Sequence, residues 1–176
     1  MKKRIALLLS LVLLAACASP ALAEPVSLIE NASGFDLKMD IPQDATVRVE
    51  NKDDVQYSFI TFADESMPEM YLSVAPTEEY DGVTLASLSA QELDGLYAAV
   101  SADFDDPSYQ MLKTSNGYDY MLVEDNSQTD SAVMILIYDG YFIHFSAWND
   151  GYAVLTGEET TAVQNLFDTL QTIDTP

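Results

Sequence analysis

The chain holds one histidine and one cysteine, and these two residues bound most of the chemistry open to it. His144 stands between Ile143 and Phe145 in an alternating stretch, which places it on one strand face with Phe142, Ser146 and Trp148. A Ser-His-Asp triad needs only one imidazole, so His144 is a candidate base. Catalytic histidines ride more often on loops, and the simpler expectation is a packed histidine hydrogen-bonded to backbone or to a carboxylate. A single histidine excludes HExxH and multi-histidine metal sites, and a single cysteine excludes cysteine-based zinc, iron–sulfur and thiol-redox sites. The GxSxG, P-loop and GxGxxG patterns are absent. No residue is therefore assigned a catalytic or cofactor-binding role.

Carboxylates are the abundant alternative, with 29 in the chain. Such abundance guarantees that some pair lies at the separation a glycosidase uses, and for that reason says little about whether one is used. Asp103, Asp105 and Asp106 form one dense set of oxygen ligands, and Asp125 and Asp130 bracket another. Both are weak calcium candidates, since neither has the spaced ligands, central glycine and closing glutamate of an EF-hand loop; solvated turns are the simpler reading. A third group, Tyr118, Tyr120, Tyr138, Tyr141, Phe142 and Trp148, could wall a groove for sugar or peptide. Aromatic residues on strands more commonly pack as cross-strand pairs in a core.

The cysteine has its own context. Lys2, Lys3 and Arg4 precede a 12-residue apolar run, Ile5 to Ala16, which has the length of a signal-peptide core and is short for a membrane span. Residues 1–23 read as a signal peptide with two exits. Ala21-Leu22-Ala23 suits signal peptidase I and would release a secreted protein. Leu14-Ala15-Ala16-Cys17 looks like the lipobox of bacterial lipoproteins, in which Cys17 is diacylated and becomes the N-terminus. Two acyl chains hold stably in a bilayer, so Cys17 is the lipidation candidate and residues 24–33 a tether.

What remains after the leader is the size of one domain with an ordinary core. Its four cations, Lys38, Arg48, Lys52 and Lys113, face 29 carboxylates, a formal charge of −25. That balance argues against nucleic acid and against electrostatic attraction to anionic lipid, so membrane contact would be through an acyl anchor. An apolar content of 48% separates the chain from disordered acidic tails.

Hydropathy places the candidate residues on elements. Phe35, Leu37, Met39 and Ile41 alternate as a strand stopped by Pro42; a short strand over 47–50 and strands over 55–62 and 70–75 follow. Ser89 and Glu92 form a capping box ahead of an apolar stripe, Leu93, Leu96, Tyr97, Val100 and Phe104, which predicts a helix ended at Asp105-Asp106-Pro107. Strands over 109–113 and 118–123 flank Ser115-Asn116-Gly117, and strands over 131–138 and 141–148 flank Asp139-Gly140, a type I′ hairpin signal. Residues 132–138 are apolar on both faces, which predicts a place in the sheet centre with layers on either side. Val163, Leu166, Phe167, Leu170 and Ile173 predict a closing helix over 158–173. The expectation is a single α+β domain over 34–174: an antiparallel sheet of about seven strands with two main helices packed on it.

This order, with its "GFDLKMDIP" opening strand, capped helix, "YDGYF" hairpin and closing amphipathic helix, resembles the fold shared by the photosystem II extrinsic protein PsbP and the bacterial lipoprotein DcrB. The resemblance covers roughly residues 34 to 174, rests on element order, and carries over no site residue. It implies an α+β sandwich and a non-enzymatic binding or assembly role. The expectation is thus a membrane-tethered or secreted domain that binds or helps assemble an envelope component, either a protein or a surface polymer, with no cofactor. A secreted hydrolase using a carboxylate pair and a calcium-stabilised module are the alternatives.

Overall fold

A computed structural model describes residues 25–32, 35–63, 67–125, 132–149 and 155–174. The leader with Cys17, and Asp130, lie outside the described residues. In chain order the elements are strands β1 (Val26–Ala32), β2 (Phe35–Met39), β3 (Thr46–Lys52), β4 (Val55–Thr61) and β5 (Glu69–Pro76), then two 3₁₀ turns, Glu78–Tyr80 and Leu85–Ser87. Helix α1 (Ala90–Val100) follows, then β6 (Pro107–Lys113), β7 (Asp119–Asp125), β8 (Ala132–Tyr138), β9 (Tyr141–Trp148), helix α2 (Gly157–Asp168) and β10 (Gln171–Asp174). Among the described residues no helix is long and apolar enough to cross a membrane.

The strands form two antiparallel sheets: seven strands in the order β3-β4-β5-β9-β8-β7-β6, and three in the order β1-β2-β10. The β8–β9 hairpin occupies the middle of the large sheet, as its two apolar faces require. Its turn is type I′, with Asp139 at φ 46° and Gly140 at φ 78°. Asp53 and Asp54, at φ 51° and 64°, make the same kind of turn between β3 and β4. Aspartate tolerates the left-handed region better than most residues, and β3 is accordingly longer than its apolar pattern indicates.

Each face of the large sheet has its own core. On the first, Ile60, Leu72, Leu122, Leu136 and Phe145 pack against Leu28 and Leu37 of the small sheet and Val163 and Phe167 of α2. On the second, Met121, Val123, Val133, Ile135 and Ile137 pack against Leu96 of α1 and Leu85 of the preceding turn. Both helices start with capping boxes, Ser89 with Glu92 and Thr156 with Glu159. These reciprocal bonds satisfy amide donors at the helix start and hold both glutamates below the usual carboxylate pKa range.

Two expectations are corrected at the ends of the domain. Residues 26–32, within the stretch read as a tether, form β1, whose Leu28 is fully buried. Its carbonyl accepts the hydroxyl of the buried Ser58 on β4, a polar tie between the two sheets. The polar neighbours Ser27, Glu30 and Asn31 hide this strand from a periodicity count, because only pairing with β2 defines its inner face. The closing helix stops at Asp168 instead of running to 173. The Thr169 hydroxyl donates to the Leu166 carbonyl at 2.7 Å, and the side-chain amide of Asn116, on the β6–β7 turn, donates to the Leu170 carbonyl at 2.8 Å. Gln171–Asp174 then pairs with β2, so Leu170 and Ile173 belong to a turn and a strand that happen to continue the helical stripe.

Candidate functional site

Helix α1 covers only part of the second face. Its apolar residues meet β7 and β8, and among the described residues no helix packs over the half made by β3, β4, β5 and the adjoining end of β9. Register decides which side chains meet there. Arg48, Phe59, Tyr71 and Ser146 are successive cross-strand partners, so they form one row perpendicular to the strands. Glu50, Tyr57, Ser73 and His144 form the next row, and Trp148 lies opposite Glu69.

The rings touch along and between these rows. Tyr57 and Phe59 are stacked at 6.4 Å, Phe59 and Tyr71 lie 6.2 Å apart, and Tyr71 is 5.5 Å from both His144 and Trp148. The Arg48 guanidinium sits 4.5 Å over the Phe59 ring and is ion-paired with Glu50, which ties down the edge of the set. Tyr57, Phe59, Tyr71, His144 and Trp148 are all half-buried. Each is partly exposed, with His144 the most enclosed by its neighbours, both its ring nitrogens being engaged.

His144 is where the open half meets the covered one, being the cross-strand partner of Ser73 on one side and Ile135 on the other. Its Nδ1 is 3.1 Å from the Tyr71 hydroxyl and its Nε2 is 3.2 Å from Ser146 Oγ. Both ring nitrogens are therefore occupied by hydroxyls, where the sequence suggests a backbone or carboxylate partner. Burial pushes its pKa down to about 4, so the imidazole is neutral at neutral pH. Burial likewise raises the Tyr71 phenol. A base poised for catalysis needs a pKa near the working pH and, in a triad, an acid that orients it; His144 has a hydroxyl in that position.

The other sequence candidates fall elsewhere. Asp105 and Asp106 are exposed, and their backbone N–H groups donate to the two carboxylate oxygens of Asp125 at 3.0 and 3.1 Å. Asp125 thus clamps the turn after α1 onto β7, and Asp103 is exposed beside it. Among the described residues no three histidine, cysteine or acidic side chains converge as a metal site. A concavity of about 440 Å³ between α1 and the 3₁₀ turns includes Glu79, Tyr80 and Glu92, but Glu92 is committed to the α1 cap. Its lowered pKa is the opposite of what a carboxylic general acid needs.

The six-residue aromatic set does not gather into one groove. Tyr138 and Tyr141 pack edge-on to Phe35 at 5.1 and 5.4 Å, Tyr118 packs on Tyr138, and Tyr120 meets Phe167. These four lie in the first core, while Phe142 stacks on Tyr80 and only Trp148 joins the open face. Tyr57, Phe59 and Tyr71 take the place of the others. The alternation of Tyr57 and Phe59 on one face of a strand is visible in the sequence, but their juxtaposition with Tyr71 and Trp148 depends on strand order and register.

No family model matches the chain, and no curated protein matches it. Among solved structures, it is similar to cyanobacterial PsbP (CyanoP) from Synechocystis sp. PCC 6803, with a TM-score of 0.51 at 11% identity over 89% of this chain and 97% of that one. A protein from Bacteroides thetaiotaomicron VPI-5482 aligns at a TM-score of 0.40 and 14% identity over 78% of this chain and 45% of that one, too distant to bear on the fold. The chain has a PsbP-like α+β fold, and at this identity the likeness extends to fold alone.

Proposed function

We propose that this PsbP-like domain is a non-enzymatic, extracytoplasmic binding module, membrane-tethered through Cys17, that binds or helps assemble a component of the cell envelope. The observation that carries the binding role is the half-covered second face. The half of the second face that no described helix covers keeps Tyr57, Phe59, Tyr71 and Trp148 in a chain of ring contacts, each residue partly exposed. Partly exposed aromatic residues held rigid on strands supply contact area at little cost in conformational entropy. The paired-hydroxyl setting of His144 supports a binding reading over a hydrolytic one.

The leader supports the location: a basic start, a short apolar run and a lipobox-like Leu14-Ala15-Ala16-Cys17. Strand β1 begins at Val26, so a tether from Cys17 would be the eight residues 18–25 and would hold the domain near the bilayer. A charge of −25 keeps such a domain off anionic headgroups. The test is to cross-link the tagged protein in its native cells and identify what co-purifies. An envelope component is expected, and recovery of none overturns the reading.

A further inference from the structure

We infer that the open face of β3, β4, β5 and β9 is a binding surface for an uncharged glycan chain, an assignment that rests on the binding role proposed above and names its ligand class. Three features of the face point to this chemistry.

The first is charge. The strands of this half carry four charged side chains, Arg48, Glu50, Lys52 and Glu69, whose charges cancel, with the exposed Asp53 and Asp54 in the turn at its end. Two of the four cations that follow the leader lie here, on β3, so an otherwise strongly acidic chain presents a neutral strip at this place. The surrounding carboxylates repel polyanions, and the strip itself holds no net charge to recruit a cationic partner.

The second is the backbone. Strands β4, β5 and β9 each lie between two neighbours, so their N–H and C=O groups are spent in the ladders and a peptide cannot add to them as a further strand. Recognition on this face is left to side chains.

The third is their arrangement. Tyr57, Phe59, Tyr71 and Trp148 follow one another at 6.4, 6.2 and 5.5 Å; Arg48 lies over the Phe59 ring, which leaves Tyr57, Tyr71 and Trp148 as the rings offered to sugars. A pyranose offers an apolar C–H face that lies on an aromatic ring and a rim of hydroxyls that both donate and accept. The hydroxyls of Tyr57 and Ser73 on the same face answer that rim.

The chain has a single tryptophan, Trp148, and it lies on this face, so its fluorescence reports occupancy directly. Leader-free protein is titrated with soluble oligomers of N-acetylglucosamine and of glucose, with dextran sulfate as the polyanionic comparison. One of the neutral series is expected to shift Trp148 emission saturably while dextran sulfate does not. Tyr71→Ala should raise Kd about tenfold or more, whereas Tyr71→Phe, which keeps the ring and the fold, should stay within about threefold of the parent. Unchanged emission with both neutral series, or equal loss in the two Tyr71 variants, overturns the glycan assignment. If a photo-cross-linker on the same face then captures an envelope protein in cells, only the glycan assignment falls; if it captures nothing, the binding role falls with it.

Discussion

The Tyr71 hydroxyl and Nδ1 of His144 lie 3.1 Å apart on neighbouring strands β5 and β9, and Ser146 Oγ meets the other ring nitrogen at 3.2 Å. This bonding serves the neutral imidazole, which has one donor and one acceptor, and burial holds the folded-state pKa near 4 against an ordinary 6.5. The folded protein therefore binds fewer protons than the unfolded chain between those values. Stability is full above about pH 6.5 and falls as pH is lowered toward 4, by on the order of 2–3 kcal/mol from this residue. Relief of carboxylate repulsion acts in the opposite direction at the acid end, so the comparison must be with a variant. Urea midpoints of His144→Gln should show a flatter dependence across this window than the parent; parallel curves would contradict the assignment.

The chain after α2 gives a second expectation. Leu170 is fully buried and Ile173 is 39% exposed, although both continue the apolar stripe of the helix. Leu170→Ala should cost about 2–5 kcal/mol and Ile173→Ala less than about 1 kcal/mol in chemical unfolding. Equal costs would favour a continuous helix to 173 over the turn and strand described.

Local chemistry made much of this fold legible in the sequence. Asp139-Gly140 demands a type I′ hairpin, Ser89 and Glu92 mark a helix start, and residues 132–138 lack a polar face because layers lie on both sides of β8. Strands β1 and β10 escaped because each is mixed in polarity and defined by its pairing with β2, and β10 has only four residues. The aromatic face escaped for a related reason. Tyr57 and Tyr71 are 14 positions apart, and only the order β4-β5-β9 sets them beside Trp148. Asp125 was visible as a candidate ligand, yet the Asp105 and Asp106 amides that occupy it were not.

That clamp leads to a third expectation. Each Asp125 carboxylate oxygen accepts a backbone N–H from the turn after α1, so Asp125→Ala should lower stability by about 1–3 kcal/mol. Because those oxygens are already engaged, millimolar calcium should leave the Tm of the parent unchanged. A rise in Tm with calcium that Asp125→Ala abolishes would reveal a metal site instead.

Attachment is tested by feeding cells a clickable fatty acid and comparing the parent with Cys17→Ala. Label should appear on the parent, which should fractionate with membranes, and should vanish from the variant. Unlabelled parent released in soluble form would indicate cleavage after Ala23 and a secreted protein.

The central claim is that the face bearing Tyr57, Phe59, Tyr71 and Trp148 is where this domain meets its envelope component. The direct measurement places p-benzoylphenylalanine at position 57, on that face, and separately at position 111 on β6, which is 39% exposed at the far edge of the same sheet. After irradiation in native cells, a discrete envelope adduct is expected from position 57 and none from position 111. An adduct from position 111 alone, or from neither, would contradict the account.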